Sequence, residues 1–264
     1  MSHFTLTRHP DRVPTPGVDG TSSRPPSVEL ETVVRVFGRG AGATRALDGV
    51  SLRLAPGSFT AVMGPSGSGK TTMLLCAAGL DRQSDGSVHV GDVVLDQLSE
   101  RERAKLRRER IGFVFQSFNL LDALTAEQNV TLPARMAGKR VSRKRARAAL
   151  ARVGLEEKSG RRPAELSGGE QQRVAVARAL VGEPEVVFAD EPTGALDLAS
   201  GRAVLDALRA AVDQLGQTVL MVTHDPRSAA RADRVVFLAD GRLVGELQQP
   251  TADQVADWMA SLEG

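Results

Sequence analysis

Phe59-Thr-Ala-Val-Met-Gly-Pro-Ser-Gly-Ser-Gly-Lys-Thr-Thr72 is the stretch on which the fold turns. A short apolar run enters a glycine-rich loop, and the loop opens into Lys70–Ala78, a helical pattern rich in apolar residues. This is the G-x-x-x-x-G-K-[ST] spacing in the strand–loop–helix setting that it requires. Gly64, Gly67 and Gly69 let the chain curl around Pro65, Ser66 and Ser68, so that N–H groups point inward at phosphate oxygens. The positive end of the following helix adds to the attraction. Lys70 is expected to reach the β- and γ-phosphates of a nucleotide, the Thr71 hydroxyl to bind Mg2+, and Thr72 to touch the α-phosphate. A glycine-rich turn capped by Lys and Thr is the plainer alternative, and the full spacing with both flanks argues against it.

Working outward, two more apolar runs read as buried strands, Val186–Ala189 and Thr218–Val222. Helical patterns at Glu170–Val181 and Ala199–Leu215 alternate with them, which predicts an α/β fold with a parallel sheet covered on both faces. Ahead of the loop, Val28–Phe37 and Ser51–Leu54 are β-rich and bounded by Gly and Pro turns. A long insertion, about Arg101 to Pro163, is rich in helix formers and Arg; with the helix that follows, it predicts a helical subdomain over about 101–180. Residues 1–27 hold Pro10, Pro14, Pro16, Pro25 and Pro26 with few apolar residues and read as a flexible tail. The main domain is expected over 28–248, and a C-terminal helix over 249–264 with Trp258 on its apolar side.

Composition narrows the function classes. Of 264 residues, 41% are hydrophobic, enough for a substantial core, and Lys+Arg at 34 nearly cancel Asp+Glu at 32. That balance gives no whole-surface attraction to nucleic acid, and with no Tyr, one Trp and eight Phe there is little for bases to stack on. Cys76 is the single cysteine, which rules out an internal disulfide and suits a reducing compartment. No run approaches the ~18 apolar residues that span a bilayer, so a membrane role is expected to come through a partner.

Two further sites carry chemistry. Val186-Val-Phe-Ala189 ends in Asp190-Glu191, at the carboxyl end of a strand, where open α/β sheets bind ligands. Asp190 is placed to hold Mg2+ through water, and Glu191 to orient or deprotonate an attacking water; two solvated surface carboxylates are the competing reading. After the third run comes Thr223-His224-Asp225, where His224 can donate to a γ-phosphate oxygen, although a lone histidine is more often structural.

These pieces fit many nucleotide enzymes; Leu166-Ser-Gly-Gly-Glu-Gln-Gln-Arg173 does not. Ser167, Gly168 and Gly169 precede a helix and offer a hydroxyl, backbone N–H groups and a helix N-terminus, a second anion site beside a complete phosphate loop. Here the chain resembles the ATP-binding cassette family over about residues 28–245. The resemblance implies a P-loop NTPase with a RecA-like parallel sheet core, an antiparallel β subdomain and a helical insertion. It also implies that ATP and Mg2+ bind where two copies meet, the signature of one closing over the phosphate loop of the other. Gly64–Thr71 matches Walker A, Val186–Asp190 matches Walker B with Glu191 as catalytic glutamate, and Leu166–Glu170 matches the signature. Gln116, in Val114-Phe-Gln-Ser117, matches the Q-loop, implied to bind Mg2+ and to relay to the membrane partner. Gly194–Asp197 matches the D-loop and His224 the switch histidine. Phe37 stands where the family often has Tyr to stack on adenine; it keeps the π-face and loses the hydroxyl, and a core role is its alternative.

Within the family, Ile111–Leu121, Asp190–Asp197 and Met221–Pro226 are similar to ATPases of the macrolide-exporter, lipoprotein-release and cell-division type. Asp122 and Gln128 depart from that group's usual Pro and Glu. The implied role is the ATP-hydrolysing subunit of a transporter, a homodimer at the cytoplasmic face of the membrane on a separate permease, with no nucleic-acid partner. Gating of a membrane partner without solute transport is the alternative, and a soluble factor acting on ribosomes or DNA is a more distant one. Two basic clusters, Arg101–Arg110 and Lys139–Arg147, read either as solvated helix faces or as surfaces for anionic lipid or an acidic permease loop.

Overall fold

The computed structural model describes residues 25–263; most of the stretch read as a flexible tail lies outside the described residues. β1 (Val28–Phe37) pairs antiparallel with β2 (Thr44–Leu54) and with β4 (Asp85–Val90), and β4 continues to β5 (Val93–Val94). The second sheet has six strands in the order β10-β9-β3-β8-β7-β6. In it β3 is Phe59–Met63, β6 Ile111–Val114, β7 Val186–Asp190, β8 Thr218–Val222, β9 Arg234–Ala239 and β10 Arg242–Gln248. All neighbours are parallel except the closing β9–β10 hairpin.

The apolar runs are continuous because both faces of this sheet are covered. On β3, Ala61 and Met63 face one core and Val62 the other, and the two-residue period repeats on β7 and β8. The first core is closed by α3 (Ala126–Met136), α4 (Arg143–Arg152), α5 (Gly168–Leu180) and α6 (Leu198–Leu215). The second is closed by α1 (Lys70–Ala77) and by the inner face of the four-stranded sheet, through Val28, Leu30, Val33, Leu47 and Val50. Cys76 lies in that core, where burial pushes its thiol pKa up to about 12. α2 (Glu100–Arg110) leads into β6, α7 (Pro226–Ala229) joins β8 to β9, and α8 (Ala252–Glu263) follows β10. Trp258 of α8 stacks on Phe237 of β9 at 5.1 Å, so this helix packs back on its own domain.

The stretch 101–180 is not helical throughout. β6 lies inside it and pairs with β7 as the edge of the six-stranded sheet, so the core sheet takes a strand from the segment read as an insertion. Four residues in an Arg-rich background carry too little pattern to show this. Gly112 marks the reason for the strand's position: a Cβ there would stand 2.7 Å from the Ala179 carbonyl oxygen, because α5 crosses directly over it. Gln128 does the work expected of Glu. Its side-chain oxygen accepts from the Thr125 N–H at 2.9 Å while the Thr125 hydroxyl accepts from the Gln128 N–H at 3.3 Å, a complete capping box for α3.

Both basic clusters are partly paired with acids. Arg107 pairs with Glu100, Arg110 with Asp92 and Glu185, and Arg143 and Arg147 both with Glu127. Arg103 is buried, which the solvated-face reading did not anticipate.

Candidate nucleotide site

The loop between β3 and α1 needs its glycines for two separate reasons. Gly64, Gly67 and Gly69 have φ of 151°, 79° and 101°, a region L side chains rarely adopt. Space is also missing: a Cβ on Gly64 would stand 1.9 Å from the Leu238 carbonyl oxygen, and one on Gly69 2.3 Å from that of Ala46. The loop is therefore held against β9 and β2 by close backbone approach. Lys70 curls into this loop, its Nζ donating to the Gly64 and Pro65 carbonyl oxygens at 2.8 and 2.7 Å and reaching the Ser68 hydroxyl at 3.5 Å. Burial lowers the Lys70 pKa, while the negative charges of Glu191 and Asp190 oppose that shift. Ser68 is buried, Pro65 and Thr72 are half-buried, and Ser66, Gly67 and Thr71 are exposed.

β7 lies beside β8, two strands from β3, and delivers its carboxyl end to the same place. The Thr71 hydroxyl donates to Asp190 Oδ1 at 3.4 Å. Burial raises the Asp190 pKa most, Glu191 adds to it, and Thr71 and Lys70 oppose it. Thr71 and Asp190 offer two hard oxygen donors, and no group of three or more His, Cys, Asp or Glu is placed to hold a metal ion among the described residues. So sparse a set fits Mg2+, which keeps several waters and uses one or two protein oxygens beside substrate phosphates.

Glu191 follows at φ 46°, a left-handed conformation costly for a side chain of this kind. Its N–H donates to the Val222 carbonyl oxygen at 2.9 Å, tying the strained residue to the end of β8. Across from it, His224 Nδ1 lies 3.0 Å from Glu191 Oε1, and Glu191 Oε2 is buried with no protein partner among the described residues. One carboxylate oxygen is thus oriented by a histidine that is itself 70% exposed, and the other is free to accept from a water or ligand.

Gln116 sits in the loop after β6, exposed, near the turn that follows Glu191: a Cβ on Gly194 would come 3.3 Å from its Nε2. Phe37 ends β1 with 42% of its surface exposed, which disposes of a core role. The Arg35 guanidinium lies 4.2 Å from the Phe37 ring centroid, and Asp81 holds it with two 2.9 Å bonds. Arg35 was not singled out from sequence; its position two residues before Phe37, on the same side of the strand, was the available signal.

The signature lies apart. Ser167 is exposed and caps α5, its hydroxyl accepting from the Glu170 N–H at 3.3 Å while Glu170 Oε2 accepts from the Ser167 N–H at 3.0 Å. Gly168 and Gly169 do not precede the helix as read from sequence; they form its first turn, because the cap falls on Ser167. Gly169 lets α6 approach, since a Cβ there would stand 2.2 Å from the Ser200 hydroxyl. Among the described residues no hydrogen bond or ion pair joins Ser167–Gly169 to the phosphate loop, whereas Lys70, Thr71, Asp190, Glu191 and His224 form one cluster. Asp197 caps α6, accepting from the N–H groups of Ala199 and Ser200 at 3.0 and 2.9 Å.

The family model described as "ABC transporter" matches residues 47–194, more than half of the chain and the span from β2 to the turn after Glu191. The chain belongs to the ABC transporter family. It is an ATPase cassette with the P-loop NTPase fold. It is 43% identical over 244 residues to the macrolide export ATP-binding/permease protein MacB of Hyphomonas neptunium, covering 91% of this chain and 38% of that protein. To MacB of Burkholderia thailandensis it is 46% identical, covering 86% and 35%. The chain therefore spans little more than a third of these relatives. Among solved structures it resembles the dimeric post-hydrolysis state of the ATP-binding cassette MJ0796 bound to ADP and Pi, with a TM-score of 0.78 and 39% identity, covering 84% of this chain and 99% of that one. Clostridium perfringens cbiO1, part of a transporter complex, matches with a TM-score of 0.77 and 28% identity over 89% and 93%.

Proposed function

We propose that this cassette binds ATP with Mg2+ between two copies of itself and uses hydrolysis to drive a separate integral membrane permease from the cytoplasmic face of the membrane. The observation that carries the paired arrangement is the separation within one chain. A complete phosphate loop with its acid pair stands without the signature, and the signature presents an exposed N-cap hydroxyl whose one hydrogen bond among the described residues is the cap to its own helix. A second copy supplies each site with its missing half.

In this reading the P-loop amides cradle the phosphates. Lys70 exchanges the Gly64 and Pro65 carbonyls for phosphate oxygens, a stronger charge-assisted bond. Thr71, Asp190 and Gln116 would hold Mg2+, which when bound neutralises charge on the phosphates. Glu191 orients the attacking water with the carboxylate oxygen that has no protein partner, and His224 fixes the other oxygen and faces the γ-phosphate. Phe37 stacks on the base with the face that Arg35 leaves open. Replacing Phe37 with Ala is expected to raise the KM for ATP about tenfold and leave kcat within twofold, since stacking of one base is worth roughly 1–3 kcal/mol. Steady-state phosphate release checks this.

The permease reading is supported by an apolar cleft of about 630 Å3 between the end of α1, β6 and α3, lined by Leu80, Phe113, Leu132 and Met136 and flanked by Arg108 and Lys139. Met136 is 72% exposed and Leu80 44%, unusual for large apolar side chains unless something covers them. No helix among the described residues is long and apolar enough to cross a membrane, so the spans would come from the permease. With the cognate permease in vesicles, Met136→Asp is expected to abolish co-purification and permease-stimulated turnover, while the ATPase activity of the isolated cassette stays within twofold. Unchanged co-purification would remove the cleft from the proposal. A permease partner that responds to ATP but moves no solute in such vesicles would turn the reading to gating.

A further inference from the structure

Gln172 is fully buried in α5, five residues past the signature serine, with Val174, Ala175, Val176 and Ala179 around it on the helix. A glutamine in that company has to satisfy its amide or bear the cost of burial. Its Nε2 does so twice: it donates to the Phe115 carbonyl oxygen at 3.0 Å and to the Pro192 carbonyl oxygen at 2.9 Å. Phe115 immediately precedes Gln116, and Pro192 immediately follows Glu191. One NH2 group therefore joins the signature helix to the two loops that present the Q-loop glutamine and the acid, and both of its donors are spent on them. Its Oε1 is buried with no partner. Farther along α5, Arg178 grips the other end of the Q-loop, donating to the Phe118 carbonyl oxygen at 3.1 Å and also to that of Asn119. Nothing else in the signature helix touches the loop after Glu191 by a hydrogen bond among the described residues.

We propose that Gln172 is a positioning residue that sets Gln116 and Glu191 in step with the signature helix, so that movement of the helix on docking to the partner is felt at both. The inference rests on the proposed composite site. It assigns no contact with nucleotide to Gln172. Its two bonds hold backbone, and the residues they place are the ones that act. A side chain of similar length without donors leaves the Phe115 and Pro192 carbonyls unpaired and lets each loop relax independently.

The test compares wild type, Gln172→Met and, as a reference for the site itself, Glu191→Gln, all as purified full chains. Gln172→Met is expected to lower kcat about tenfold, the scale of a buried hydrogen bond's contribution, with the KM for ATP within twofold. Hydrogen exchange is expected to quicken at Gln116–Asn119 and at Glu191–Gly194 while the amides of Val174–Leu180 keep their protection. Loss of protection along α5 as well would mean a merely structural residue and overturn the proposal, as would an unchanged kcat or a rise in KM matching the fall in kcat. If Gln172→Met does not fold, Gln172→Leu, which is apolar and also has no donors, is measured in its place against the same criteria. Failure of the composite site is seen separately: Glu191→Gln would then stay monomeric in saturating ATP, whatever Gln172 does.

Discussion

Glu191→Gln is expected to keep ATP binding and to lose turnover by a factor on the order of 10^3, as removal of a water-activating carboxylate does. The side chains are isosteric, and the strain at φ 46° is borne by the backbone, so the fold is unaffected. Lys70, Thr71 and the loop amides are untouched, which preserves nucleotide affinity. What changes is the oxygen that has no protein partner: a carboxylate can accept a proton from water, and an amide cannot. With hydrolysis blocked, the closed pair accumulates. Phosphate release and sedimentation in ATP, run on one preparation, read both consequences. Wild-type release of phosphate would remove Glu191 from its role, and a monomer in saturating ATP would remove the pair.

Ser167→Asp separates capping from anion binding. Aspartate caps helices about as well as serine, so α5 is expected to keep its first turn and the protein its Tm. The new carboxylate, however, points where the partner's γ-phosphate is to dock. Turnover is expected to fall about 100-fold or more, the scale of losing a donor to developing charge and gaining repulsion there. Nucleotide binding to the isolated subunit is expected to stay within about threefold, since the phosphate loop lies elsewhere. Mixing this variant with Lys70→Ala gives the sharper result. In mixed pairs one site receives an intact loop from the first subunit and an intact signature from the second, so turnover exceeds the sum of the two variants alone. A mixture no more active than its parts would mean that each chain completes its own site.

Several of these elements were legible from short-range pattern. The Gly64–Thr71 spacing, the apolar runs of β3, β7 and β8, and the Ser167–Gly169 turn into a helix each declare local geometry within a few residues. Their order along the chain was enough to name the family. The C-terminal helix with Trp258 on its apolar side also followed, because amphipathicity leaves a periodic trace, whereas Phe37 was placed only by the resemblance and its exposure by the structure. Asn129 was passed over, although its amide is fully buried and bonds to the Leu121, Leu124 and Thr125 carbonyls, which pins the end of the Q-loop to α3. Gln172 escaped for the same reason: a polar residue on an apolar helix face signals a buried bond, but not its partner.

The sequence by itself determined that this chain makes a phosphate loop, a pair of strand-end acids and a helix opening at the signature, because each depends on neighbours a few residues away. Only the tertiary structure decided that β6 leaves an Arg-rich helical stretch to edge the core sheet. The tertiary structure likewise set one glutamine amide across both catalytic loops. Those outcomes are contacts between residues 75, 57 and 20 positions apart and close approaches at Gly64, Gly69 and Gly112, where the absence of a Cβ matters only once another segment has arrived.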